Sequence, residues 1–262
     1  MNVIEVRGLA KSFRIPSVRR DTVREHLFGL FRPRRFERLQ VLESVSFDVR
    51  RGETLGIMGR NGSGKSTLLK LLCGIYRPER GAVHLLAPVT PILELGIGWN
   101  AELNAVDNVL LLGTAMGLSL AESRDAVDEV LAFAELERFA SLELKHFSSG
   151  MAARLAYAVA FKAVREVLVL DEVFTVGDAG FRRRCEDRYR ELASQGCTVV
   201  LVSHETSPVE SFCNRALLLE GGKIALEGSG REIVQAYLKL LTPDRPCAGP
   251  EGNPVAPSPQ PT

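Results

Sequence analysis

Short apolar runs bounded by turn residues recur along the chain, and each predicts a strand. The first is Val3-Ile4-Glu5-Val6-Arg7-Gly8-Leu9, with a turn after it. A second covers Val45 to Val49 and stops at the Arg51-Gly52 turn. Others lie at Thr54–Met58, Val83–Leu86, Thr90–Glu94, Val167–Leu170, Thr198–Ser203, Ala216–Leu219 and Ile224–Leu226. Between them the apolar positions shift to helical spacing. Thr67 to Cys73 reads as a helix carrying Leu68, Leu69, Leu71 and Leu72, and further helices are predicted around Phe181–Ser194 and at Arg231–Leu241. From about Ala101 to Val164 the pattern is mostly helical, with loops at Gly113–Ser119 and Leu142–Ser149. Strand–helix alternation around a helical insert predicts an α/β fold with a mainly parallel sheet, covered on both faces. The helices between about 96 and 165 are expected to form a separate lobe. No internal repeat is present.

Composition changes this picture little. The 262 residues are 45% hydrophobic and 25% charged, the balance of a globular protein large enough to bury a core. The net charge of +1 gives no reason to expect a nucleic-acid partner. No run of 18 apolar residues occurs, so no membrane span is predicted, and the first ten residues lack the charged head of a secretory signal. The five cysteines (73, 185, 197, 213 and 247) have no CxxC spacing and read as inert thiols of a reducing compartment.

Charge is uneven, however. Residues 14–38 hold eight arginines against Asp21, Glu25 and Glu37, so the rest of the chain is net acidic. Within this stretch Val23, Leu27, Leu30 and Phe31 fall at i, i+4, i+7 and i+8, one apolar stripe on a short helix ended near Pro33. A solvated surface loop, a nucleic-acid contact and a contact with a membrane-bound partner all fit such a basic insert (residues 14–40). Residues 242–262 are proline-rich with little apolar content, and disorder is expected there.

Three short segments carry chemistry. Gly59-Arg60-Asn61-Gly62-Ser63-Gly64-Lys65-Ser66 fits GxxxxGK[ST] and sits where phosphate binding needs it, after a strand and opening a helix that begins with Thr67. Glycines let successive backbone N–H groups curl around phosphate oxygens, and the helix N-terminus adds partial positive charge. Lys65 suits the β- and γ-phosphates of a nucleotide, and the Ser66 hydroxyl suits Mg²⁺. Val167-Leu168-Val169-Leu170 runs into Asp171-Glu172, delivering an acid for the Mg²⁺ shell and a second to orient or deprotonate water. A strand that merely surfaces would read the same. Ser148-Ser149-Gly150-Met151 opens an apolar-rich helix, and a plain Ser N-cap accounts for it equally.

In order and spacing, the phosphate loop, the SSGM helix, the Asp-Glu strand and Ser203-His204 resemble the ATP-binding subunits of ABC transporters over about residues 1–241. The resemblance implies a P-loop ABC ATPase fold, with a mainly parallel core sheet, an antiparallel β subdomain and a helical subdomain. It implies ATP as substrate, bound with Mg²⁺ and hydrolysed. Ser148, Ser149 and Gly150 resemble a variant of the LSGGQ signature, followed by Arg154. In that family the signature of one subunit caps the nucleotide of the other. By the same resemblance Glu172 and His204 are catalytic, Asp178 is the D-loop aspartate and Phe13 stacks on adenine; on sequence alone Phe13 also reads as a core residue. Where the family has a glutamine, Ile92-Leu93-Glu94-Leu95-Gly96 has none, and Glu94 is the positional substitute.

The runs at 93–103, 147–161 and 171–181, with the insert before Val41, are similar to one branch of the family. That branch exports O-antigen, capsule, teichoic acid and related lipid-linked polysaccharides. The resemblance implies a homodimer of ATPase subunits docked on a separate integral-membrane permease, peripheral on the cytoplasmic face of the inner membrane. Some members add a carbohydrate-binding domain, which the short proline-rich tail does not supply. A cassette of another transporter class and a regulatory ATPase share the same chemistry. For the insert, Arg32, Arg34, Arg35 and Arg38 suit an anionic leaflet or a lipid pyrophosphate.

Overall fold

The computed structural model describes residues 1–16, 36–92, 98–171 and 178–241. The predicted insert helix, Glu94, Glu172 and the tail lie outside these residues. Two sheets organise the rest. Strand β1 (Asn2–Pro16) pairs antiparallel with β2 (Phe36–Arg50) on one side and β4 (Arg80–Leu85) on the other. The second sheet has the order β5-β6-β7-β3-β8-β9, formed by β5 (Val89–Ile92), β6 (Val167–Asp171), β7 (Thr198–Val202), β3 (Thr54–Met58), β8 (Arg215–Glu220) and β9 (Lys223–Gly228). Its strands are parallel except for β9. Every residue of β3 and β7 is buried. Cover on both faces is why these strands read as unbroken apolar runs rather than as alternation.

The helices are α1 (Lys65–Leu72), α2 (Ala105–Ala115), α3 (Leu120–Asp125), α4 (Val127–Ala134), α5 (Ser149–Lys162), α6 (Ala179–Ser194), α7 (Thr206–Phe212) and α8 (Gly230–Leu241). Helix α1 and the antiparallel sheet close one apolar cluster against the parallel sheet, built on Ile4, Leu42, Ile57, Leu68 and Val200. Helix α8 closes another through Ile233 and Tyr237. Helix α5 serves two clusters. Tyr157 and Phe161 pack with α6 against the parallel sheet, while Leu155 and Val159 pack with Val109 and Leu131 among the helices. The apolar stripe of α5 thus ties the helical region to the strands that carry the site.

Three elements differ from expectation. The β1–β2 ribbon runs well past the predicted strands, to Pro16 opposite Phe36. Its outer residues alternate poorly because most of that ribbon is exposed, and it is extended by backbone pairing and polar side-chain contacts rather than by apolar packing. Helix α2 continues through Gly113, where a loop was expected. A Cβ there would stand 2.6 Å from the Ser123 hydroxyl, so the glycine marks close approach of α2 and α3. Helix α7 was not predicted; its Pro208 reads as a turn but falls in the first helical turn, where proline is tolerated.

Candidate functional site

The carboxyl ends of β3, β7 and β6 lie level. Ile57 is in register with Val202, and Val202 with Asp171. The glycine loop, Ser203-His204 and Asp171 therefore leave the sheet at one edge, where α/β proteins bind ligands. Strand β7 stands between β3 and β6, so the His204 strand separates the loop from Asp171.

The loop depends on its glycines. Gly59 is buried, and a Cβ there would lie 2.3 Å from the Leu219 carbonyl oxygen. Gly62 and Gly64 take φ of 81° and 106°, a left-handed region that glycine enters without penalty. A Cβ on Gly64 would also press on the Val41 carbonyl at 2.9 Å. Helix α1 starts at the next residue. Lys65 is only 7% exposed, and its ammonium donates to the carbonyls of Gly59 (2.8 Å) and Arg60 (3.1 Å), folding back under the loop. The Ser63 hydroxyl is buried with no hydrogen-bond partner among the described residues. Leaving such a group unpaired is costly. A buried cation, an orphaned hydroxyl and a helix N-terminus meeting at one glycine turn fit a phosphate group. Asn61 and Ser66 are exposed and Thr67 is half-buried.

Phe13 is half-buried on β1 and meets Tyr76 edge-on, with centroids 5.5 Å apart. The Lys11 ammonium lies 5.4 Å from the Phe13 centroid and 5.6 Å from that of Tyr76. Tyr76 was missed on sequence. Its signal is its position just after the glycine-loop helix, where the Gly74 turn brings its backbone N–H to the Lys70 carbonyl.

Ser148 caps α5, its hydroxyl accepting from the Met151 N–H at 3.2 Å. Ser148 and Ser149 are exposed and Gly150 half-buried. Asp178 caps α6 by accepting from the Phe181 N–H at 2.9 Å and forms an ion pair with Arg154 of α5. The Phe181 N–H, with Arg154 beside it, holds the Asp178 carboxyl below the usual range. His204 is exposed at the end of β7. There the Ser203 hydroxyl, accepting from the Glu205 N–H at 2.9 Å, fixes the turn. Asp171 is half-buried at the end of β6. Burial pushes the thiols of Cys73, Cys185 and Cys213 up to about 12 and that of Cys197 to about 11, so none of these is a nucleophile at neutral pH.

A family model described as "ABC transporter" matches residues 42–175. The "ABC transporter protein AbcA" of Aeromonas salmonicida is 41% identical over 202 residues, 77% of this chain; this chain spans 66% of AbcA, just under two thirds. The "O-antigen export system ATP-binding protein RfbB" of Klebsiella pneumoniae is 36% identical over 218 residues, 81% of this chain and 89% of RfbB. Among solved structures, one titled "Structure of ATP binding subunit of ABC transporter" superposes with a TM-score of 0.71 at 26% identity, covering 90% of this chain and 93% of that one.

Proposed function

Since the chain belongs to the ABC transporter family of ATP-binding subunits, we propose that it hydrolyses ATP to drive export of a lipid-linked polysaccharide through a separate membrane permease. The observation that carries the ATP reading is the glycine turn itself, with the Lys65 ammonium folded beneath it and the Ser63 hydroxyl buried without a partner among the described residues. Backbone N–H groups of residues 59–66 and Lys65 bind the phosphates. Ser66 and Asp171, with Glu94 the third candidate, are the residues that would hold Mg²⁺, which supplies charge compensation at the phosphate oxygens. Glu172 takes the proton of the attacking water, and His204 faces the terminal phosphate. Phe13 offers its ring to adenine, with Tyr76 and Lys11 fixing its position.

Two copies assemble with the exposed Ser148, Ser149 and Gly150 of one over the glycine loop of the other, and Asp178 at the contact. The exposed N-terminus of α5 favours an anion there. No helix among the described residues is long and apolar enough to cross a membrane. In this reading the export pathway belongs to the permease, at whose cytoplasmic side the dimer sits. Polysaccharide as cargo rests on the sequence runs at 93–103, 147–161 and 171–181 and on similarity to the Klebsiella protein.

The basic insert provides the test of cargo and partner. Arg38 is left unchanged in it: Nε donates to the Ser12 hydroxyl at 2.7 Å and the guanidinium pairs with Glu79, so replacing it would also disturb the ribbon. Arg32, Arg34 and Arg35 remain. In a deletion strain, lipid-linked glycan should accumulate and wild-type chain should clear it. Arg32, Arg34 and Arg35 changed to Ala, together with Leu27→Asp, should leave the ATPase of the subunit near wild type and fail to clear the glycan. Full export by that variant would make the insert a surface loop. No accumulation in the deletion strain would assign the cassette to another cargo.

A further inference from the structure

Three ion pairs outside the glycine loop meet around one unusual backbone position. Glu135 ends α4 with φ of 58°, a left-handed conformation that glycine adopts at helix ends far more easily than glutamate. Its carboxylate pairs with Arg154 of α5 at 2.7 Å and with Arg184 of α6. Arg184 is itself fixed by donating to the Phe133 carbonyl at 2.8 Å. Arg154, only 19% exposed, reaches past Glu135 to Asp178 and lies 5.3 Å from the Phe181 ring centroid. The carboxyl of Glu135 is held below the usual range, by Arg184 first and Arg154 after it. With the Glu135 carboxylate half-exposed, both of its ion pairs are screened by solvent and add little to stability, so stability alone does not explain a glutamate in a position that suits glycine.

What the pairs share is placement. Helix α5 opens with Ser148 and α6 opens with Asp178, and Arg154 joins the two a short way behind both openings. We propose that Glu135 is a positioning residue. With Arg184 it anchors Arg154, which keeps the openings of α5 and α6 in one mutual orientation and so presents Ser148 and Asp178 together to the nucleotide of the second copy. This rests on the ATP-hydrolysing dimer proposed above.

The full-length chain is tested as Glu135→Gln and Glu135→Gly, with Lys65→Ala beside them. Glu135→Gln keeps the shape and removes the charge. Glu135→Gly should melt at or above the wild-type temperature, since glycine takes the left-handed backbone without strain. Both variants should lose kcat by about ten- to a hundred-fold, the range expected when a reacting group is misplaced by an ångström or less. KM for ATP should stay near wild type, because none of the three ion pairs touches the glycine loop. Wild-type kcat in both, with Lys65→Ala inactive, would reduce Glu135 to a helix cap and overturn the proposal while leaving the ATPase reading intact. A fall in kcat that only follows a fall in melting temperature would overturn it too. Normal turnover by Lys65→Ala would instead remove the ATPase reading beneath it.

Discussion

Lys65→Ala is expected to abolish ATP hydrolysis and weaken nucleotide binding. Lys65 is the first residue of α1, buried, with its ammonium under the loop. There its charge is poorly screened and, in the proposed site, would act strongly on the phosphates as negative charge shifts during transfer. Removing one such stabilising group costs about 10²–10³ in rate. Here the loss should be larger, since the substitution also leaves the Gly59 and Arg60 carbonyls without their donor. Phosphate release should fall to background, and a fluorescent ATP analogue should bind more weakly. Wild-type turnover would remove the loop from the mechanism.

Glu172→Gln should separate binding from chemistry. Amide for carboxylate keeps the size but turns one acceptor oxygen into a donor and removes the proposed base, which should lower hydrolysis by on the order of 10²–10⁴. Binding should be unchanged because, in the proposed site, the phosphates rest on Lys65 and backbone N–H groups. Unhydrolysed ATP should then hold two copies together, seen as a dimer on size exclusion with ATP and a monomer without it. Glu172 follows Asp171, which ends β6 level with the end of the His204 strand. Normal hydrolysis would therefore turn attention to His204 as the base.

Where one physical cause dominated, the sequence was easy to read. Burial on both faces wrote β3 and β7 as apolar runs, and the glycine loop followed from the positive φ values that only glycine tolerates well. The outer ribbon was missed because exposed strands carry no apolar alternation. Helix α7 was missed because it spans only Thr206–Phe212 and contains Pro208. What periodicity does not record is the long-range part. Arg154 meets Glu135 and Asp178 across 19 and 24 residues. Tyr76 reaches Phe13 through the fold. The placement of β7 between β3 and β6 is a property of strand order. Arg38, grouped by composition with the basic insert, also pairs with Glu79 across the ribbon, a contact that composition does not record.

The most direct measurement concerns the sharing of each ATP site between two copies. Ser148→Arg blocks the exposed α5 opening, and Lys65→Ala disables the glycine loop; each variant alone should hydrolyse no ATP. In a mixed dimer of the two, the intact loop of the first faces the intact α5 opening of the second, restoring one complete site. ATPase activity should appear on mixing and peak near equal amounts. Were each site built within a single copy, both chains would carry a lesion in their own site. Silence at every ratio, with both variants folded and mixed dimers demonstrated, would contradict the account.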